Sequence, residues 1–300
     1  MAKIKVGLAL GGGGARGLAH LGVLQVLEEE RIPIDVIAGT SMGAIVGALY
    51  AYNPKVSEVV AKVRACAENG AFRALMFDLN KEKDREGLLY KFSGFIKRAY
   101  LSTIIKTRLS VISKDRIENV INELLPDIDI KQLSIPFSAT TTNLYKGEEM
   151  IITEGSLRKA VLASTSIPGI IPPVNWNGDM LTDGGSVSEC PINGCHKLGA
   201  DIIIAVNVKS RKRYLDRLDN GLEVISRANY LTGTRLNELN LLGADIVISP
   251  AVGNIHWANF KRLDHCSKRG ERAVWAKLEQ VKETIRKARI KRFIGQIFNK

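Results

Sequence analysis

Two short glycine-framed segments near the start of the chain and a third far downstream carry the residues able to do chemistry. Gly39-Thr40-Ser41-Met42-Gly43 is a G-x-S-x-G sequence placed between an apolar segment with strand character, Val36-Ile37-Ala38, and a segment with helical character. In that setting a serine occupies a sharp strand-to-helix turn. Residues two before and two after it must lack side chains so that strand and helix can pass closely, and its hydroxyl is presented as a nucleophile. The bland alternative is a strand-to-helix turn with Ser41 as an N-cap. Upstream, Gly11-Gly12-Gly13-Gly14 follows another short apolar segment and precedes a helix. Successive glycines let backbone N–H groups converge on negative charge, either a phosphate or a developing oxyanion. Gly12, Gly14 and Gly17 also satisfy G-x-G-x-x-G, which on its own is a weak sign of a dinucleotide-binding turn. The acidic residue that such a turn needs at the end of the second strand would be Asp35, yet Asp35 precedes Val36-Ile37-Ala38 and so belongs to the opposite end of the sheet.

A nucleophilic serine requires a base. Asp183, in Asp183-Gly184-Gly185, closes the short strand Met180-Leu181-Thr182. Its neighbouring glycines permit close approach, and partial burial would raise its pKa toward the range of a proton acceptor. As a turn residue it would need no chemical role. Ser41, Asp183 and either His196 or His256 would follow the Ser, Asp, His order of α/β-hydrolases. That fold, however, places several strands before its serine, and here only one strand and one helix come first. His20, His196, His256 and His265 are therefore expected to be structural or exposed.

The elements that must hold these residues alternate. Strand, helix, strand and helix occupy the first 52 residues, which argues for a parallel sheet covered by helices. Residues from about 56 to 129 have a helical pattern without strand punctuation, expected as a helical insertion or lid over the sheet. It includes Lys91, Phe92, Phe95, Lys97 and Tyr100. Phe137–Asn143 and Glu149–Thr153 flank a turn at residues 144–147 as a hairpin, Leu157–Ser164 is a short helix, and 201–208 and 244–250 are buried strands.

In order and spacing, the segment Gly11 to Gly17, the elbow around Ser41, Asp183-Gly184-Gly185 and the run Ser164-Thr165-Ser166-Ile167-Pro168-Gly169 through Pro172-Pro173-Val174 to Pro191-Ile192 resemble the patatin-like phospholipase family. The likeness covers roughly residues 5 to 208. It implies an α/β class, three-layer α/β/α fold with a mostly parallel central sheet and a helical insertion, and a lipid acyl hydrolase working through a Ser41–Asp183 dyad without histidine. Gly12, Gly13 and Gly14 would form the oxyanion hole. Arg16, Gly17, Gly39, Gly43, Gly184 and Gly185 would support the geometry. No cofactor and no metal enter that mechanism, and the implied substrate is a phospholipid or another acyl ester. Cys190, just before Pro191, departs from the family pattern. Two rival classes stay open: a catalytically weak lipid-binding scaffold, and a dinucleotide-binding oxidoreductase that leaves Ser41 idle.

Composition bounds the rest. The 300 residues are 45% hydrophobic with a formal charge of +12 and 27 glycines, a packed chain and not a disordered one. No apolar run approaches the roughly 20 residues that span a bilayer. The N-terminus lacks signal-peptide character and Cys66, Cys190, Cys195 and Cys266 make no CxxC pair, so a cytoplasmic protein with structural thiols is expected. Residues 209–260 are expected to complete the α/β domain. Residues 261–300 carry 13 Lys plus Arg against four acids, nine of the twelve net charges. Val274, Leu278, Val281, Ile285, Ala288 and Phe293 recur at helical spacing there, so the segment suits either peripheral association with an anionic membrane surface or a terminal helix docked on the body. Nucleic acid is not an expected partner, because zinc-finger spacing and aromatic RNA-binding strands are lacking.

Overall fold

The structure, a computed structural model, describes residues 4–69, 107–209 and 217–298. Its eight-stranded sheet has the order β5-β6-β3-β2-β1-β7-β8, with β4 also paired to β3. β1 is Val6–Leu10, β2 Val36–Thr40, β3 Phe137–Asn143, β4 Glu148–Ile152, β5 Val174–Trp176, β6 Asp179–Asp183, β7 Ile202–Val206 and β8 Ile246–Ile248. The β2, β1, β7 and β8 neighbours run parallel, as do β2 and β3. The β3–β4, β3–β6 and β5–β6 pairs are antiparallel.

Alternation along the central strands builds the layers. Val6, Leu8 and Leu10 point into the large core. That face is covered by α1 (Ala19–Glu29), α2 (Met42–Tyr52) and α3 (Val56–Glu68). Ala9, Ala38 and Ala205 point the other way, into a thinner cluster with Cys190, Ile192 and Cys195. Small residues are needed there because the short helix bearing Ile192 and Cys195 lies almost on the sheet: a methyl carbon on Gly194 would come within 2.7 Å of the Ala38 side chain. The four cysteines are free and buried, and burial pushes each thiol up, that of Cys66 and Cys266 to about 11.

The expected hairpin and the helix at Leu157–Ser164 are present, the hairpin's second strand beginning one residue earlier at Glu148. The buried strands at 201–208 and 244–250 are shorter than expected, Ile202–Val206 and Ile246–Ile248. Of the expected insertion, α3 and α4 (Lys114–Leu124) are helices, while 70–106, with Lys91, Phe92, Phe95, Lys97 and Tyr100, lie outside the described residues. After α5 (Leu157–Ser164) and α6 (Ile192–Lys197) comes α7 (Gly221–Asn240), a 20-residue helix.

The basic C-terminal segment forms two helices, α8 (Leu263–Trp275) and α9 (Leu278–Phe298). α8 crosses α1 closely enough that a methyl carbon on Gly22 would lie 1.9 Å from the Ser267 carbonyl oxygen. Val274, Leu278, Val281 and Ile285 are buried, so the first part of the apolar stripe docks on the body. Lys282 pairs with Glu30 at 2.8 Å and Arg292 with Asp201 at 2.7 Å. Beyond them Ile290, Phe293 and Ile294 are about half exposed. None of the described helices is long and apolar enough to cross a membrane.

Candidate active site

Strand pairing alone brings the serine and the aspartate together. Since β4 occupies one side of β3 from Ala139 to Asn143, β2 and β6 must share its other side. They meet there end to end, Thr40 opposite Thr140 and Asp183 opposite Thr141. Ser41, one residue past Thr40, thus faces the end of a strand some 140 residues later in the chain.

The elbow has the strain that its sequence predicts. Ser41 holds φ 54°, and a methyl carbon on Gly43 would lie 2.0 Å from the Leu10 carbonyl oxygen, so no other residue fits there. Ser41 stands at the N-cap position of α2 without a capping hydrogen bond from its side chain. Its hydroxyl lies close enough to the Asp183 carboxyl to bear on that group's pKa. Its own N–H donates to Ser164 Oγ at 3.0 Å, and Ser164 donates to the Thr140 carbonyl at 2.7 Å. Asp183 is held as tightly. Its N–H donates to the Ser166 carbonyl at 2.9 Å, its carbonyl accepts from Thr142 Oγ1 at 2.9 Å, and Oδ1 accepts from the Gly185 N–H at 2.7 Å. Burial raises its pKa to about 7, against the lowering influence of the Ser41 hydroxyl and the Gly185 N–H, with the nearby Glu189 carboxylate adding to the rise. A carboxyl group tuned there can accept a proton near neutrality and return it.

The glycine loop packs against the serine: a methyl carbon on Gly12 would lie 3.3 Å from the Ser41 Cβ. The expectation for Gly12 needs correction, because its N–H donates to the Glu189 carbonyl at 2.8 Å, and Gly11 N–H likewise to Val206 at 3.0 Å. An N–H turned to a backbone carbonyl is spent, which leaves Gly12 a close-approach residue. Among the described residues, the N–H groups of Gly13 and Gly14 have no partner. In the glycine loop, Arg16 Nε donates to the Gly13 carbonyl at 3.1 Å. Buried His20 has its Nε2 2.8 Å from the Gly11 carbonyl, and burial pulls its pKa to about 4, so the neutral ring donates to the loop. Among the described residues, no histidine contributes to the raised Asp183 pKa. Asp35 accepts the Val6 N–H at 2.9 Å, at the end of the sheet away from Ser41, which removes the carboxylate a ribose would need.

Ser41, Met42 and Gly14 lie at an apolar pocket of about 810 Å³ including its mouth. Val63, Cys66 and Ala67 of α3 and Val120, Ile121 and Leu124 of α4 form its far wall. Sequence reasoning did not single out Ser164 as a support of the elbow. It also missed the ion pair of Glu189 with Lys209, 3.3 Å apart beside the dyad. Their sequence surroundings, Ser-Thr-Ser and Ser-Glu-Cys-Pro, carry no distinctive sign of either role.

The pattern described as "Patatin-like phospholipase" matches residues 8–196. "Lysophospholipase NTE1" of Pyricularia oryzae is 33% identical over 236 residues, 76% of this chain and 14% of that protein. "Neuropathy target esterase sws" of Drosophila melanogaster is 33% identical over 208 residues, 69% of this chain and 13% of that protein. The chain thus spans about one seventh of the length of these curated relatives. VipD from Legionella pneumophila superimposes with a TM-score of 0.50 at 15% identity, covering 93% of this chain and 67% of that one, a likeness of fold alone.

Proposed function

Because this chain belongs to the patatin-like phospholipase family, we propose that Ser41 and Asp183 form a catalytic dyad that hydrolyses carboxylic esters of lipids. The observation that carries this reading is the placement of Ser41, which lines an apolar pocket, beside a buried carboxyl group poised near neutrality. Ser41 Oγ attacks the ester carbonyl while Asp183 takes its proton. The oxyanion lies against the N–H groups of Gly13 and Gly14. Collapse of the tetrahedral intermediate breaks the C–O bond, and Asp183 returns the proton to the departing alcohol. Asp183 then removes a proton from water, which attacks the acyl-serine; the Oγ–C bond breaks, Asp183 returns the proton to Ser41 Oγ, and the fatty acid leaves. The pocket wall of valine, isoleucine and leucine holds the acyl chain out of water, each buried methylene contributing about 0.8 kcal/mol.

Reaction with a fluorophosphonate followed by peptide mapping should place the label on Ser41, and Ser41→Ala should lower hydrolysis of a short p-nitrophenyl ester by several orders of magnitude. Full activity in that variant would end the mechanism. Lipid binding without turnover in the wild type would support a catalytically weak scaffold instead.

A further inference from the structure

In a run of four glycines a peptide unit can turn over at little steric cost, so groups outside the run must fix which way its N–H groups point. The Gly13–Gly14 unit has its carbonyl on Arg16 Nε at 3.1 Å, and the Gly14–Ala15 unit has its N–H on the Trp257 carbonyl at 2.6 Å. The Gly11–Gly12 unit is held at both ends. Its N–H donates to the Glu189 carbonyl at 2.8 Å, and its own carbonyl lies 2.8 Å from His20 Nε2. A carbonyl oxygen only accepts, so Nε2 carries the ring proton and Nδ1 the lone pair. His20 is fully buried and, among the described residues, Nδ1 has no partner. A leucine would fill that place without burying an unsatisfied nitrogen. What the imidazole supplies and an apolar side chain does not is the hydrogen bond to Gly11.

We propose that His20 is a positioning residue of the oxyanion hole: by holding the Gly11 carbonyl it sets the direction of the Gly13 and Gly14 N–H groups relative to Ser41. The role presupposes acyl transfer at Ser41. The held carbonyl lies where loop and elbow touch, since a methyl carbon on Gly43 would come within 2.9 Å of the Gly11 oxygen, and one on Gly12 within 3.3 Å of the Ser41 Cβ. The ring stands at the same junction. A methyl carbon on Gly17 would lie 3.6 Å from His20 Cδ2 and 2.5 Å from Cγ of Met42, the residue after the nucleophile. Turning the Gly11–Gly12 unit over would set its carbonyl against that of Glu189, so ring and Glu189 together select one orientation. Without the ring N–H, the Glu189 bond alone holds the unit, and the two N–H groups that follow lose their fixed aim. Donors held in place before the reaction are what stabilise a developing oxyanion. His20 thus acts through Gly11 and takes no part in proton transfer.

The test compares His20→Leu, which fills the place without a donor, with His20→Gln, whose amide nitrogen reaches the position of the ring Nε2. Hydrolysis of p-nitrophenyl butyrate is measured per site titrated with a fluorophosphonate, so that unfolded chains are not counted. His20→Leu should lower kcat at least about tenfold with KM within about twofold, and His20→Gln should recover most of the loss. A trifluoromethyl ketone, which forms an anionic adduct with a nucleophilic serine, should lose affinity for His20→Leu in proportion to kcat/KM. A fatty alcohol, which only fills the pocket, should bind that variant within about twofold of wild type. Should His20→Leu fail to fold, His20→Asn, whose amide is one bond too short for Gly11, takes its place. Equal losses in the Leu and Gln variants, or equal weakening of ketone and alcohol, would overturn the positioning role. Turnover that depends on Ser41 and is unchanged in His20→Leu would overturn it and spare the dyad, whereas full turnover in Ser41→Ala would overturn both.

Discussion

Glu189→Gln tests how Asp183 is tuned. A methyl carbon on Gly185 would lie 3.1 Å from Asp183 Oδ1 and 3.7 Å from a Glu189 carboxylate oxygen, so the two oxygens are at most about 7 Å apart. Two unit charges at that separation repel by about 2 kcal/mol at an effective dielectric constant of 20. Lys209 Nζ, 3.3 Å from the same Glu189 carboxylate, cancels part of this. Burial, the larger cause of the raised Asp183 pKa, is untouched by the substitution. Removing the Glu189 charge also leaves the Lys209 cation uncompensated, and both effects favour the ionised aspartate. With a wild-type pKa of about 7, the rising limb of kcat/KM against pH has its midpoint there, and only about one tenth of the base is ionised at pH 6. Glu189→Gln should move the midpoint down by up to about one pH unit, which raises activity at pH 6 from about one tenth to about one half of the plateau. Lys209→Met should move it up. A soluble p-nitrophenyl ester is the substrate, so that surface binding does not enter. Unchanged midpoints in both variants would refute the electrostatic tuning. A flat wild-type profile between about pH 5 and 9 would refute Asp183 as the base.

Asp183→Asn should abolish turnover yet stabilise the fold at high pH: folding raises the Asp183 pKa from 3.8 to about 7, so wild-type stability falls as pH rises through that window, by up to about 4 kcal/mol. Denaturant unfolding should show the variant ahead at pH 8 and the difference gone near pH 4. Ser164→Ala leaves the Ser41 N–H without its partner in a strained turn, for a loss of about 1–3 kcal/mol in unfolding free energy and a lower kcat with KM little changed. Ala67→Trp, on the far wall of the pocket, should cut the ratio of long-chain to butyrate ester hydrolysis at least about tenfold. An unchanged ratio would place the acyl chain elsewhere.

Local chemistry was legible in the chain, because it is written over a few adjacent residues. The φ of Ser41 and the impossibility of a side chain at Gly43 follow from a turn five residues long. The alternation of apolar strands and helices around it dictates a parallel sheet, and Asp35 could be placed at the wrong end of that sheet for a ribose by its position before β2. The short stretch of chain before the serine is what argued against a histidine-containing triad. Tertiary structure decided what depends on distant segments meeting. The sharing of one side of β3 by β2 and β6 joins Ser41 to Asp183, and the raised Asp183 pKa comes from burial that no spacing encodes. The glycine run suggested three N–H donors, but Gly12 turns out to be spent on the carbonyl of Glu189, 177 positions downstream. Charge count drew attention to the C-terminal segment, whereas packing decided that Val274, Leu278, Val281 and Ile285 of its apolar stripe are buried on the body, since periodicity reveals that a helix has an apolar face and only packing reveals which way that face points.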